Sequence, residues 1–427
     1  MRNILANVAS LMSASFLVHG SNAAITTMIA LVVAESGGGQ SDVALIAACY
    51  SLGFLVGCFL LSNQISRVGL IRAFAAASAV VTVTIIALDL VYGVWLWALL
   101  RFTMGAAMAA LLAIADTWIN DKTPNKQRGS VIAVYATLMS AASLVGQIVF
   151  LIFDADADGF VLMFAVSTNI AVVLVAMTAS AAPKMHTRPT KFEFNFVVTS
   201  KTATVCAFNA GFMTAAVVAV VPFYQTSQGV GENLVAITMI SLFLGRLLFM
   251  WPAGWLSDRL DRRTVLIGLS AIVAFIALLI WFLAELEGHM IRGDGGMPKQ
   301  ILALLIMLLF GGALYPINSV ASSLSFDRAE GKQLVDVSTT NLAVNSLGAI
   351  IGPLVVSVLS GIVGLGALFM AIAIAATVNL VVALVRRPLV ASPAQNTPSV
   401  ASATDSSIGM AQAAAEVVEA EMEKADG

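Results

Sequence analysis

Arg246, Arg101 and His19 stand inside long apolar runs of a chain in which only 11% of residues are charged. A guanidinium is permanently charged and binds carboxylate or phosphate through a two-pronged fork. Deep in a bilayer it costs roughly 2.5–3.5 kcal/mol on insertion scales, so it must face a cavity or a partner rather than lipid. Arg246 lies midway along its run, and Arg101 lies toward one end of its own. Arg246 is therefore a candidate ligand for an anionic group, with a bond to helix carbonyls or asparagines as the competing reading. Arg101 reads as structural. The imidazole of His19 titrates near pH 6.5 in its ordinary state, which makes it a candidate proton carrier. A satisfied hydrogen-bonding histidine is the plainer alternative. Asn22, Asn169, Asn209, Asn318, Asn341 and Asn345 add uncharged donors and acceptors within the same kind of run. Such groups can also do no more than tie helices together.

Other chemistries find little support. Cys49, Cys58 and Cys206 sit in apolar runs without paired spacing, so they offer neither a disulfide framework nor a zinc site. The run Asp154-Ala155-Asp156-Ala157-Asp158-Gly159 copies the start of a calcium loop, but position twelve of such a loop is Ala165 instead of a bidentate Glu. A solvated turn is the better reading. There is no phosphate-binding loop, nucleophile motif or metal-ligand cluster, so no cofactor is expected. A net charge of −2 gives no reason to expect nucleic acid as a partner.

The elements that must position these residues are membrane-spanning helices. Hydrophobic residues make up 59% of the chain and its mean hydropathy is +0.94, well beyond a soluble domain. With about 20 apolar residues needed per span, the sequence predicts spans near 5–34, 43–65, 70–91, 94–118, 130–153 and 159–181. A second set falls near 200–224, 233–256, 264–285, 300–325, 334–361 and 364–385. The first run is too long for the h-region of a signal peptide, roughly 7–15 residues, and reads as a span. Asp116, toward the end of the fourth span, is expected to pair with a loop arginine such as Arg128. With the N-terminus inside, inner loops hold Arg67, Arg72, Lys122, Lys126, Arg128, Lys184, Arg188, Lys191, Lys201, Arg259, Arg262, Arg263, Arg328, Lys332, Arg386 and Arg387. Outer loops hold only Arg292 and Lys299, so both termini are expected in the cytoplasm. The long inner loop 182–199 divides the spans six and six, and the polar tail 388–427 cannot build a core.

Gly254-Trp255-Leu256-Ser257-Asp258-Arg259-Leu260-Asp261-Arg262-Arg263 forms a dense charged turn between two apolar runs. A worn copy, Ser62 to Arg72, lies 192 positions earlier and keeps Arg67 and Gly69. Leu52-Gly53 and Leu244-Gly245 precede the two turns at the same offset, which marks a duplicated chain. The second copy resembles the Gly-x-Leu-x-Asp-Arg-x-Gly-Arg-Lys/Arg turn of the major facilitator superfamily, in a bacterial-type branch. It matches at Gly254, Leu256, Asp258, Arg259, Arg262 and Arg263, with Asp261 in place of the second glycine. Arg101 to Gly105 is similar to that family's Arg-x-x-x-Gly pattern in the fourth span. Gly348 to Gly352-Pro353 is similar to its Gly-x-x-x-Gly-Pro pattern in the eleventh. The matching place in the fifth span, Ala142 to Gly146-Gln147, has no proline, which counts against antiport drug efflux.

The resemblance implies an all-α membrane protein of 12 transmembrane helices in two pseudo-symmetric six-helix bundles, residues 1–181 and 200–387, with both termini inside. It implies a secondary transporter, symporter or antiporter, in the cell inner membrane, moving a small organic solute by alternating access. An anionic solute is among the candidates, with protons as a further partner. Asn22, Asn209, Asn318, Asn341 and Asn345 would face the central cavity with Arg246, and His19 would couple protons. In the turn, Asp258 would sit at a helix N-terminus and the arginines would reach acidic residues or lipid phosphate, forming a latch that opens in one state. A monomer is expected. An uncoupled facilitator, or a membrane sensor or enzyme on the same scaffold, are the alternatives, since fold alone does not fix function.

Overall fold

The computed structural model describes residues 2–123, 125–153, 159–177, 197–287, 296–329, 334–364 and 366–386. The described residues form helices joined by short turns. In chain order these are α1 (Arg2–Glu35), α2 (Gln40–Val68), α3 (Leu70–Leu90), α4 (Val94–Lys122), α5 (Asn125–Ile152) and α6 (Phe160–Ala176). They continue as α7 (Lys201–Ser227), α8 (Glu232–Arg259), α9 (Arg262–Glu287), α10 (Gly296–Leu314), α11 (Pro316–Phe326), α12 (Leu334–Val363) and α13 (Ala367–Arg386). Long apolar runs take this form because a helix satisfies its own backbone where no water can. Eleven stretches are long and apolar enough to cross a membrane, and α6 is a shorter apolar helix of 17 residues. The predicted sixth span reached residue 181, whereas the description of that segment ends at residue 177.

The predicted tenth span is one apolar stretch, Met297–Phe326, within which α10 gives way to α11 at Tyr315. Pro316 supplies no backbone N–H and its ring crowds the preceding turn, which breaks the ladder at that point. The first run is a single continuous helix, α1, through Glu35.

The packing repeats along the chain. In the first half α1 packs on α5, α2 on α4, and α3 on α6; in the second, α7 packs on α12, α8 on α10, and α9 on α13. Across the halves α2 meets α12, α5 meets α8, and α1 meets α7. The closest approaches are made at glycines. A Cβ on Gly53 would overlap the Phe102 carbonyl, and one on Gly105 would overlap that of Tyr50. Gly245 and Gly311 do the same between α8 and α10, against Leu308 and Leu242. Gly53 faces Phe102 and Gly57 faces Ala106, so α2 and α4 advance in the same direction. Small residues at such crossings are how helices gain packing contact without a hydrophobic driving force between them.

Polar ties sit at the same contacts. Gln147 Nε2 donates to Ala23 O at 3.0 Å and to Thr27 Oγ1 at 3.0 Å, fixing α5 to α1 where the family's antiporter branch has proline. Asn169 Nδ2 reaches Thr82 Oγ1 at 3.4 Å between α6 and α3. Large apolar side chains such as Trp95, Phe275 and Ile362 stay exposed on the outer faces, as suits a lipid-facing surface.

Candidate functional site

A cavity of about 260 Å³ lies among α1, α2, α4, α5, α7, α8, α11 and α12. Its lining includes Arg101, Arg246 and His19, the phenols of Tyr50 and Tyr315, and no aspartate or glutamate among the described residues. Asn22, Asn318 and Asn345 also line it. The helices that face it are apolar nearly all round, so each polar group there stands against an apolar wall.

Arg101 is buried, one helical turn before the crossing glycine Gly105. Its Nη1 donates to Asn22 Oδ1 at 3.2 Å and its Nη2 to Thr26 Oγ1 at 2.9 Å, both on α1. Its Cζ lies 4.3 Å from the centroid of the Tyr50 ring on α2, and Asn22 Nδ2 closes the triangle by donating to the Tyr50 hydroxyl at 3.1 Å. Arg101 thus clamps three helices. The structural reading fits these bonds, and the side chain also borders the cavity.

Arg246 is held differently. It follows the crossing glycine Gly245 on α8, and its Cζ lies 4.8 Å from the centroid of the Tyr315 ring. Tyr315 stands at the break between α10 and α11, so Pro316 helps to place the ring. The Nε of Arg246 is buried with no hydrogen-bond partner among the described residues, as is that of Arg101. The residue 192 positions earlier is Phe54, which also lines the cavity. At this pair of equivalent positions the second half presents a cation and the first an aromatic face.

The asparagines divide. Asn345 Nδ2 donates to Asn318 Oδ1 at 3.1 Å and to Ala207 O at 3.1 Å, at the cavity wall. Two others correct the sequence expectation. Asn209 is buried between α7 and α13, donating to Asn379 Oδ1 at 2.7 Å, and does not line the cavity. Asn341 is buried beside the end of α11, accepting from Ser325 Oγ at 3.1 Å, and likewise lies off the cavity. Both lie within the expected helices but on faces turned away from the cavity.

At the charged turn the roles also shift. Asp258 and Arg259 are exposed, and Arg259 stacks 4.0 Å from the Trp255 ring centroid. Asp258 closes α8 and does not stand at a helix N-terminus. That position belongs to Asp261, whose Oδ1 accepts from the backbone N–H of Arg263 at 3.0 Å and whose carbonyl accepts from Thr264. The first copy has Gly69 here, at φ 92°, where a side chain would be strained; in the second copy a carboxylate cap replaces that turn. Arg262 and Arg263 are buried. Arg262 Nε meets Asp327 Oδ2 at 2.7 Å, and Arg263 Nη1 donates to Arg386 O at 3.3 Å. Gly254 is buried, and Arg67 in the first copy is exposed. Gly348 and Gly352 lie against the Phe208 and Phe212 carbonyls on α7, with Pro353 inside α12. Asp116 is buried, and the side chain of Arg128 falls outside the described residues. The calcium-like run, at 154–158, and the tail fall outside them as well.

Tyr50, Tyr315, Asp327 and Asp261 were missed by sequence reasoning. A signal existed for the first: Tyr50 and Arg101 each stand about one turn before a glycine of the same crossing. Nothing in the sequence marked Asp327 as the partner of Arg262.

The sequence model of the Major Facilitator Superfamily matches residues 11–329 and 203–414, and the chain belongs to that family of membrane transporters. The MFS-type transporter YcaD of Escherichia coli is 24% identical over 346 residues, covering 78% of this chain and 83% of the relative; YcaD of Shigella sonnei matches equally. Among solved structures, a mutant of the nucleoside transporter NupG superposes with a TM-score of 0.74 at 14% identity, over 89% of this chain and 100% of that one. The xylose transporter XylE of Escherichia coli, in a partially occluded inward-open conformation, gives 0.68 at 12% identity, over 92% of this chain and 99% of its own. A D-xylose-proton symporter gives 0.68 at 14% identity, over 92% and 99%. These structures share the fold.

Proposed function

We propose that the chain is a secondary active transporter that carries a small organic anion across the cytoplasmic membrane by alternating access. The observation that carries this reading is the charge of the cavity: two guanidiniums, Arg101 and Arg246, with no carboxylate among its described lining residues. A permanent positive charge in an apolar enclosure selects for an anion and against a cation. The chain would work as two six-helix bundles, 1–181 and 200–387, joined by the inner loop 182–199, with both termini in the cytoplasm. The repeated helix pairing and the concentration of Lys and Arg in alternate loops support that arrangement.

Movement of the bundles about the cavity would expose it to each side in turn. The turn at Gly254 to Arg263 would act as a latch on the cytoplasmic side, with the Arg262–Asp327 pair as its buried part, Asp258 acting on Arg262 from the end of α8, and the exposed Arg259 and Arg67 facing lipid phosphate or a neighbouring segment. His19 at the cavity wall would carry a coupled proton. The chain would act as a monomer without a cofactor, and no step requires bond chemistry. The shared fold of a nucleoside transporter and a D-xylose-proton symporter supports reading the chain as a transporter of a small solute.

A stabilisation screen on the purified full chain tests this. Organic acids should raise the melting temperature, and their neutral amides should not. Stabilisation by amides, sugars or organic cations with none by acids would overturn the anion assignment. Uptake into proteoliposomes with and without a pH gradient then tests coupling.

A further inference from the structure

We infer that the solute carries a single anionic head, taken by Arg246, attached to a flat apolar body; this rests on the anion-transport reading above. Two arginines in one cavity would ordinarily suggest a solute with two anionic groups. Their bonding says otherwise. Both Nη atoms of Arg101 are committed to protein acceptors, Asn22 and Thr26, and Nη1 also touches Met104 Sδ at 3.3 Å. Its fork edge is used up in holding α1 and α2 on α4. A solute anion there would have to break bonds that fix three helices. The Nε of each arginine lacks a hydrogen-bond partner among the described residues, so the contrast lies elsewhere: Arg101 is 3% exposed with both Nη atoms bonded, whereas Arg246 is half-buried at the cavity with the Tyr315 ring beneath it. The Nε edge of a guanidinium is one of the two that grip a carboxylate in a parallel pair of bonds.

The body follows from the spacing on α8. Phe243, Arg246 and Met250 stand at i, i+3 and i+7 and all line the cavity, so they share one face of the helix. An anion seated on Arg246 must lay whatever is attached to it along Phe243 or Met250. Phe243 and Tyr315 stand 6.1 Å apart, centroid to centroid, and tilted by 33°, which makes a corner of two rings beside the guanidinium. Phe54 and Met108 face them from α2 and α4. Aromatic faces and thioethers suit a ring better than a second charge. Arg101 is then a positioning residue, acting through Asn22 and Tyr50.

Calorimetric titration of the full chain with benzoate, benzamide, acetate and succinate tests the assignment. Benzoate is expected to bind about tenfold or more tighter than benzamide, which keeps the ring but loses the charge. Succinate is expected to bind no better than acetate, because Arg101 is buried and its Nη atoms are bonded to Asn22 and Thr26. Arg246→Lys should remove most of the preference for benzoate over benzamide while the melting temperature stays near that of the parent. Arg101→Lys should lower the melting temperature and leave the preference in place. Succinate binding more tightly than benzoate would overturn the single-head assignment and spare the anion-transport reading. Loss of the preference in Arg101→Lys as complete as in Arg246→Lys would do the same. Failure of every anion to bind would overturn both.

Discussion

The side chains of Arg262 and Asp327 meet at 2.7 Å with each only 1% exposed, one at the start of α9 and the other just past the end of α11. A pair so buried is a weak source of net stability, but removing one partner strands the other charge. Asp258 adds to the field on Arg262 from the end of α8. The turn therefore couples three helices through one guanidinium.

Asp327→Asn should destabilise the protein strongly, by about 3–5 kcal/mol if the pair behaves like other buried pairs. Thermal unfolding in detergent would show it as a large drop in melting temperature. Arg262→Gln added to Asp327→Asn should restore much of the loss, because no uncompensated charge remains. Two fully additive losses would show that the residues are not coupled.

The α2–α4 crossing makes a contrast between glycines. Gly53→Ala should lower the melting temperature, since its Cβ would overlap backbone at Phe102, and the site residues Tyr50 and Arg101 hang on that crossing. Gly268→Ala, which meets nothing within 4 Å in α9, should be neutral or stabilising by about 0.5–1 kcal/mol. Equal effects from the two would contradict the packing described.

Asn209 and Asn318 should separate stability from recognition. Asn209→Ala breaks the buried bond to Asn379 and should lower the melting temperature with KM nearly unchanged. Asn318→Ala, at the cavity wall, should raise KM with a smaller thermal loss. A reversed pattern in transport kinetics would remove Asn318 from the site.

These two asparagines also show where the sequence was legible. Hydropathy placed eleven of the predicted spans and a shorter apolar helix at the sixth, because the bilayer length fixes how many apolar residues must be contiguous. The fold family was written in the turn at Gly254 to Arg263. Arg246, His19, Asn22, Asn318 and Asn345, picked out for their place within the apolar runs, line one cavity. Rotation about the helix axis could not be read. A helix that is apolar on all sides gives no moment to say which face meets the cavity, so Asn209 and Asn341 looked the same as Asn345. Asp261 was read as a departure from a glycine, when its carboxylate caps the helix that the glycine would have turned into. Long-range partners such as Tyr315 and Asp327 are set by three-dimensional packing and leave no local trace.

His19 shares the cavity with Arg101 and Arg246, and the other titratable groups in the lining are the phenols of Tyr50 and Tyr315. A protonated imidazole would be a third cation there, so a bound anion should favour protonation and protonation should favour the anion, by the same factor. Affinity for the anion should therefore rise on acidification. His19→Gln should flatten that profile of KM against pH. An unchanged profile in the variant would take His19 out of the coupling.

Transport by this chain should depend on Arg246 as the group that grips the anion. Counterflow in proteoliposomes measures this directly: vesicles loaded with the best-stabilising anion are diluted into trace label, for the parent and for Arg246→Ala. The parent should show a transient accumulation of label above equilibrium, and Arg246→Ala, inserted to the same level, should lose most of it, about tenfold or more in initial rate. Equal accumulation in the two proteins, or none in the parent despite binding, would contradict it.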